Sequence, residues 1–436
     1  MATWDSVDDA MQQGPRTRMV LTAGLGFFTD AYDLFIIGTV TALLTPLWSL
    51  GTTQLMWLNS TSLLAAVAGS LVFGRLADRL GRRTMAIAES VILTAAALLS
   101  AFAPNFSTLL VLRAVMGLAI GGDYSTSSII ASEFSHRSRR GRLIATVFAM
   151  QGLGLVLGPL YATVLLASGV PHDLAWRLML GFGALPALVV GYLRVTMSET
   201  PRFAIKQAVS NQADTVQHRL WDRKFLLRLM GTAGSWFLLD IAFYGNSVSS
   251  SLILKALTPH SALLDRVALA GLIFLVAALP GYWVAAATMD RLGRRLIQVL
   301  GFGVMAAAYG VLALVPGVTA TPWLFLAIYG LSYFFIEFGP NTTTFVYPAE
   351  LFPVEVRGTA NGISAAAGKF GAFLGAFLFP LILVQLKLPG LMGVLAVAAV
   401  LGAALTLLVL PEPRGLSLEQ ASGQIAPTAP GDAAAG

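Results

Sequence analysis

The sequence predicts an all-α polytopic membrane protein of twelve transmembrane helices, arranged as two pseudo-symmetric six-helix bundles. Three observations carry this. Of 436 residues, 56% are hydrophobic and only 11% charged, against about 25% charged in an average soluble domain. The apolar residues fall in runs long enough to cross hydrocarbon, which takes about 20 residues of helix. Short charged motifs of the first half also recur at matching places in the second.

In chain order, the apolar runs between Gly, Pro and charged breaks lie at 19–45, 55–77, 84–103, 107–132, 141–168 and 175–196. A second set lies at 228–252, 264–288, 296–315, 322–347, 357–385 and 388–410. Residues 1–18 carry three Asp and no basic start before an apolar run, so they do not resemble a cleavable signal, and the first span is expected to direct insertion. Residues 19–197 then form the N-terminal bundle, 198–227 a cytoplasmic linker and 228–410 the C-terminal bundle. The low-complexity tail, 411–436, is expected to be disordered.

Nearly all Lys and Arg gather on one side of these spans, in clusters at 75–83, 137–142, 194–228 and 291–295. The other side keeps Arg177, Lys255, Arg266 and Lys387. The positive-inside rule makes both termini and the linker cytoplasmic, in a plasma or inner membrane. It also turns the net charge of +6 into a topology signal, and nucleic acid is not an expected partner. The chain has no Cys and four scattered His, and shows no P-loop and no nucleophile beside a base. Metal, cofactor and enzymatic chemistry are therefore not expected.

Asp78-Arg79-Leu80-Gly81-Arg82-Arg83 recurs as Asp290-Arg291-Leu292-Gly293-Arg294-Arg295, each between the second and third span of its half. Glu133 followed by Arg140-Gly141 recurs as Glu350 followed by Arg357-Gly358, each between the fourth and fifth. Charge pairs among Asp78, Arg82, Glu133, Arg140, Asp290, Arg294, Glu350 and Arg357 are expected to form a cytoplasmic gate. Such pairs part as two halves rock about a central site.

The stretch from Gly74 to Arg83, GRLADRLGRR, resembles the signature loop of the major facilitator superfamily. Within it, GFFTDAYDLF at 26–35, GGDYSTSSIIASE at 121–133 and FGPNTTTFVYPAELFPVEVRGTANGISAAAGK at 338–369 resemble the phosphate:proton symporter branch. The resemblance covers essentially the whole chain. It implies the fold, alternating access and proton coupling.

An ionisable side chain at the bilayer centre costs at least about 2.5 kcal/mol, so each needs a partner, water or a purpose. Those inside spans are Asp30, Asp33, Glu89, Arg113, Asp123, Asp240, Glu337 and Lys369. Trp236, Asp240 and Tyr244, at i, i+4 and i+8, share one helix stripe about 12 Å long. Asp123 and Tyr124 follow Gly121-Gly122, and Arg113, Gly117 and Gly121 form a four-residue ladder suited to close helix packing. Gln151 in an apolar, glycine-rich run reads either as a ligand or as an interhelical hydrogen bond. Gly339-Pro340 interrupts span ten before Asn341, a break that either kinks the helix or frees backbone groups for a ligand. Lys369 lies too deep to snorkel, and so pairs with a carboxylate or attracts an anion.

The resemblance implies that Tyr124, Gln151, Trp236, Asp240, Tyr244 and Asn341 hold phosphate, with Lys369 a cationic residue of the same cavity. It implies that Asp33 and Asp123 move protons, with Arg113 and Asp240 also taking part. Two positions depart from the branch pattern: Ser125 stands where proline usually follows GGDY, and Glu337 where a neutral residue precedes FGPN. The chemistry suits the assignment. Tyr, Trp, Gln and Asn donate to oxyanion oxygens, while Asp240 accepts from a phosphate hydroxyl that sulfate lacks. The expected function is inward proton symport of inorganic phosphate by a chain that works as a monomer among membrane lipid. A proton-coupled carrier of an organic acid anion or a sugar on the same fold is the alternative, and a non-transporting nutrient sensor a more distant one.

Overall fold

The computed structural model describes residues 16–136, 138–200, 203, 223–319 and 321–424. Among them the regular secondary structure is all helical. The cause is solvent: where no water reaches the backbone, each N–H and C=O has to be satisfied within its own segment. The helices are α1 (Arg16–Trp48), α2 (Thr52–Leu80), α3 (Arg82–Ser100), α4 (Phe106–Glu133), α5 (Arg140–Ala167) and α6 (His172–Val195). After the linker come α7 (Arg223–Val248), α8 (Leu263–Leu292), α9 (Arg294–Leu314) and α10 (Pro322–Leu351).

The last helical run, Arg357–Val409, has 53 residues. At about 80 Å it is far too long for one crossing. Lys387 divides it, with φ 58° and ψ −178°, into α11 (357–386) and α12 (388–409). Among the described residues the 11 long apolar helices thereby supply twelve crossings of a multi-pass membrane protein. Successive helices alternate in direction, which brings the basic connections together on one face, here the basic face.

Small residues set the helix spacing. In the α2–α4 contact, Gly69 faces the Leu118 carbonyl, Gly117 that of Ser62 and Gly121 that of Ala66, with no room for a methyl group. The ladder therefore packs helices, as small-residue repeats do in lipid. Between the halves, α2 lies along α11 and α5 along α8. Gly74 meets the backbone of Gly358 and Gly362 at the basic end of the first seam. Toward the opposite face, Gly38 of α1 abuts the Val248 carbonyl of α7.

Helix α10 widens into a π-type turn over Glu337–Asn341, where Pro340 lacks an N–H and Gly339 has non-helical φ −101° and ψ −112°. The carbonyls of this break draw hydroxyls from the turn that follows. Thr342 Oγ1 donates to the Glu337 carbonyl (2.6 Å), Thr343 Oγ1 to that of Gly339 (3.0 Å) and Thr344 Oγ1 to that of Pro340 (2.7 Å). Three hydroxyls directly following the break thus bond back onto its own carbonyls.

The tail expectation is corrected in part. Residues 411–424 are folded on the basic face, where Leu418 and Ala421 are buried and Ser417 caps a short helix, Leu418–Ser422, through a capping box with Gln420. Glu412 accepts from the N–H groups of Arg294 (3.1 Å) and Arg295 (2.9 Å). Composition alone misplaces this stretch because a few apolar anchors and one carboxylate suffice to dock it. Residues 1–15, most of the 198–227 linker and 425–436 lie outside the described residues.

Candidate functional site

Midway through the spans, buried polar side chains from α4, α5, α7, α8, α10 and α11 form one continuous hydrogen-bonded network. Asp240 and Tyr244 sit one helical turn apart on α7, and Lys369 of α11 reaches both. Its Nζ donates to Tyr244 OH (2.8 Å) and to Asp240 Oδ2 (3.3 Å). The same ammonium lies 3.7 Å from the centre of the Tyr124 ring and 4.2 Å from that of Tyr244, where the negative ring faces attract it.

From there the network crosses into the first half and returns. Tyr124 OH donates to Gln151 Oε1 (2.8 Å) and lies 2.9 Å from Tyr244 OH. A hydroxyl has one proton to give, so Tyr244 is the donor of that pair. Gln151 Nε2 donates to Tyr282 OH (2.9 Å). Asn341 Nδ2 donates to the same hydroxyl (2.8 Å) and to Glu337 Oε2 (2.5 Å). Donation thus runs one way from Lys369 through Tyr244, Tyr124 and Gln151 to Tyr282, with a carboxylate at each end, Asp240 and Glu337. Each of these has one buried oxygen without a hydrogen-bond partner, Asp240 Oδ1 and Glu337 Oε1.

Aromatic rings close the site on both sides. Toward the basic face lie Phe27, 5.2 Å from Tyr124, and Phe148 stacked on Phe345 at 4.5 Å. Trp236 borders this layer, 6.3 Å from both Tyr124 and Phe345, and the bare Gly368 lets its indole seat against α11. Toward the other face Phe35 stacks on Tyr244 at 5.2 Å. Tyr124, Gln151, Asp240, Tyr244, Asn341 and Lys369 therefore meet directly, with Trp236 at their edge.

Asp33, Arg113 and Asp123 lie outside this network. Arg113 Nη1 donates to the Asp33 backbone carbonyl (2.8 Å), and both Asp33 carboxylate oxygens are buried without a partner. Asp123 is paired with Arg194 Nη2 at 2.5 Å and accepts from the Ser127 hydroxyl. The same guanidinium donates to the Ala86 carbonyl and to Ser90 Oγ, and lies 3.8 Å from Glu89. Arg194, which the charge pattern assigns to the linker flank, is thus buried among the carboxylates of the first half.

At the basic face the repeated motifs meet across the halves. Asp78 accepts from the N–H of Gly358 (3.1 Å) and from the N–H and hydroxyl of Thr359 (2.7 and 2.9 Å). Asp290 accepts from the N–H of Arg142 (3.0 Å). Each carboxylate therefore sits at the first turn of a helix in the other half, where free N–H groups and the helix dipole favour negative charge. Arg82 bridges Asp78 and Glu133, both at 3.3 Å, and Arg357 reaches the same Glu133 oxygen at 3.2 Å. Arg294 bridges Asp290 at 3.2 Å and grips Glu350 with two bonds, 2.7 and 2.9 Å. Arg140 donates to the Leu416 carbonyl (3.3 Å), tying α5 to the tail.

Three participants were not legible as such. Tyr282, between Gly281 and Trp283 in an apolar run, looks like an interfacial aromatic. Glu199 and Glu412, in the linker and the tail, play matching parts: Glu199 accepts from the N–H of Arg82 (3.1 Å) and Arg83 (3.2 Å), as Glu412 does for α9. Their nearly equal placement after each half is the signal that finds them.

Comparison with known proteins agrees with this architecture. The family model described as Major Facilitator Superfamily matches residues 23–348. Inorganic phosphate transporter 1-11 of Oryza sativa subsp. japonica is 34% identical, over 97% of this chain and 90% of the relative. Inorganic phosphate transporter 1-1 of Arabidopsis thaliana is 35% identical, over 96% of this chain and 97% of the relative. Among solved structures, the proton:xylose symporter XylE bound to 6-bromo-6-deoxy-D-glucose superposes with a TM-score of 0.82 at 18% identity, covering 94% of this chain and 98% of that one.

Proposed function

This chain belongs to the major facilitator superfamily, and we propose that it imports inorganic phosphate together with protons by alternating access of the buried site between its halves. The observation that carries the reading is the network around Lys369: donors from tyrosines and amides converge in one place, flanked by carboxylate acceptors. Dihydrogen phosphate needs both, since its bare oxygens accept and its hydroxyls donate. The relatives' names supply the same substrate independently.

In this reading Tyr124, Gln151, Tyr244 and Asn341 donate to the anion, Trp236 lines its seat and Asp240 accepts a phosphate hydroxyl. Lys369 offsets the Asp240 charge that would otherwise repel the anion. Asp33 takes a proton on the outer side and gives it up inside, next to Arg113, and Asp123 does so when its hold on Arg194 loosens. Carrying protons with an anion reduces the charge that crosses the membrane. Asp78, Arg82, Glu133, Arg140, Asp290, Arg294, Glu350 and Arg357 form the gate, and the basic face is cytoplasmic, with both termini on it, in a plasma or inner membrane. A single chain contains the whole site and works as a monomer.

Uptake of labelled phosphate into proteoliposomes tests the function. Acidifying the outside should accelerate uptake severalfold, and a proton ionophore should abolish the gain. Uptake indifferent to the imposed gradient would overturn the coupling.

A further inference from the structure

Glu337 is the one carboxylate of the central network that the family resemblance does not supply. It is completely buried and stands one helical turn from Asn341 on the broken segment of α10. Its Oε2 accepts from Asn341 Nδ2, while Oε1 has no hydrogen-bond partner. The groups facing it are Tyr282 from α8, Tyr309 from α9, Asp240 from α7, and Tyr333 and Asn341 from its own helix. None of these is a cation, and the nearby Lys369 is engaged by Asp240 and Tyr244. A buried carboxyl oxygen without a donor is costly, and the site has two, Asp240 Oδ1 and Glu337 Oε1.

We propose that Glu337 is a specificity-determining residue, a second hydroxyl acceptor that matches the site to a singly charged oxyanion bearing two hydroxyls. For phosphate that ion is the dihydrogen form, and the inference rests on the phosphate reading above. One hydroxyl donates to Asp240 Oδ1, a charge-assisted bond, and the other to Glu337 Oε1. The Asn341 amide then turns from Glu337 to a bare oxygen of the ion. Monohydrogen phosphate fills only one of the two acceptors and sulfate neither, and each also brings a second negative charge against the unfilled carboxylate.

Uptake by purified protein in proteoliposomes, with the wild type beside Glu337→Gln, tests this. In the wild type, apparent affinity for total phosphate should fall as pH rises through the second ionisation of phosphate, and sulfate should compete poorly. In Glu337→Gln, whose amide donates where the carboxylate accepted, that fall should flatten and sulfate should compete about tenfold better. A variant with the wild-type pH profile and wild-type sulfate rejection overturns the proposal. Should the variant not fold, the wild type decides alone. Methylphosphonate, in which a methyl group of similar size replaces one hydroxyl, should compete about tenfold more weakly than phosphate at equal pH, and equal competition overturns the proposal. A wild type that takes up no phosphate at any pH instead sinks the transport reading itself, and this inference with it.

Discussion

Lys369 holds the site's charges in balance. Its ammonium is fully buried, touches Asp240 and Tyr244, and lies over two tyrosine rings. Removing one member of a buried pair strands the other, a loss of about 3–5 kcal/mol, whereas removing both can be nearly neutral. Lys369→Met should therefore lower thermal stability sharply, and Asp240→Asn combined with Lys369→Met should recover most of it. Transport should stay absent in both, because the cation is gone from each and the acceptor from the second as well. A double variant no more stable than the single one would show that the pair is not the source of the loss. Residues of this kind were legible because charge inside an apolar span has few innocent explanations. Asp240 gained more from its spacing, with Trp236 and Tyr244 on one stripe. Tyr282 was not legible, since a tyrosine beside a tryptophan is ordinary at a membrane surface, and only the fold brings it between Gln151 and Asn341.

Helix ends carry a second layer of information that apolar runs do not contain. Gly81 and Gly293 have φ of 96° and 87°, a region that L side chains rarely enter, and each lets one helix turn into the next at the basic face. The N–H groups this exposes at the start of α3 and α9 are taken by Glu199 and Glu412. Losing such a cap costs roughly 1–2 kcal/mol. Glu199→Ala and Glu412→Ala should each lower the melting temperature of the purified protein, and their effects should add, since the two caps lie in different halves. An unchanged melting temperature in both would show that water replaces the carboxylates without loss. The span limits themselves followed from hydropathy to within several residues. The caps were hidden because their donors and acceptors are distant in sequence and lie in stretches with no periodicity.

Across the whole molecule, symmetry decides how the closed face is held. Asp78 of the first half bonds the first turn of α11, and Asp290 of the second half bonds that of α5. The two seams α2–α11 and α5–α8 are therefore clamped by the same device at the same face. The repeated motifs made the clamp readable as charge pairing. That its carboxylates grip backbone N–H groups at helix starts was not readable, because backbone donors have no letter in a sequence. Such bonds survive only while the helix ends stay together, so each favours one arrangement of the halves over the other. Asp78→Asn keeps the shape but loses the charge that the helix end attracts, and should shift the population toward opening at the basic face. The chain has no cysteine, so a thiol placed at Ser128, which accepts from Asn361 across the interface (2.6 Å), is the only one present. Its labelling by a water-soluble maleimide should quicken severalfold in Asp78→Asn, and further when Asp290→Asn is added, in line with about tenfold for each 1.4 kcal/mol lost from the closed state. Labelling rates equal to those of the thiol variant with both aspartates intact would mean that the seams hold without the clamp, by apolar packing of α2 on α11 and α5 on α8 alone.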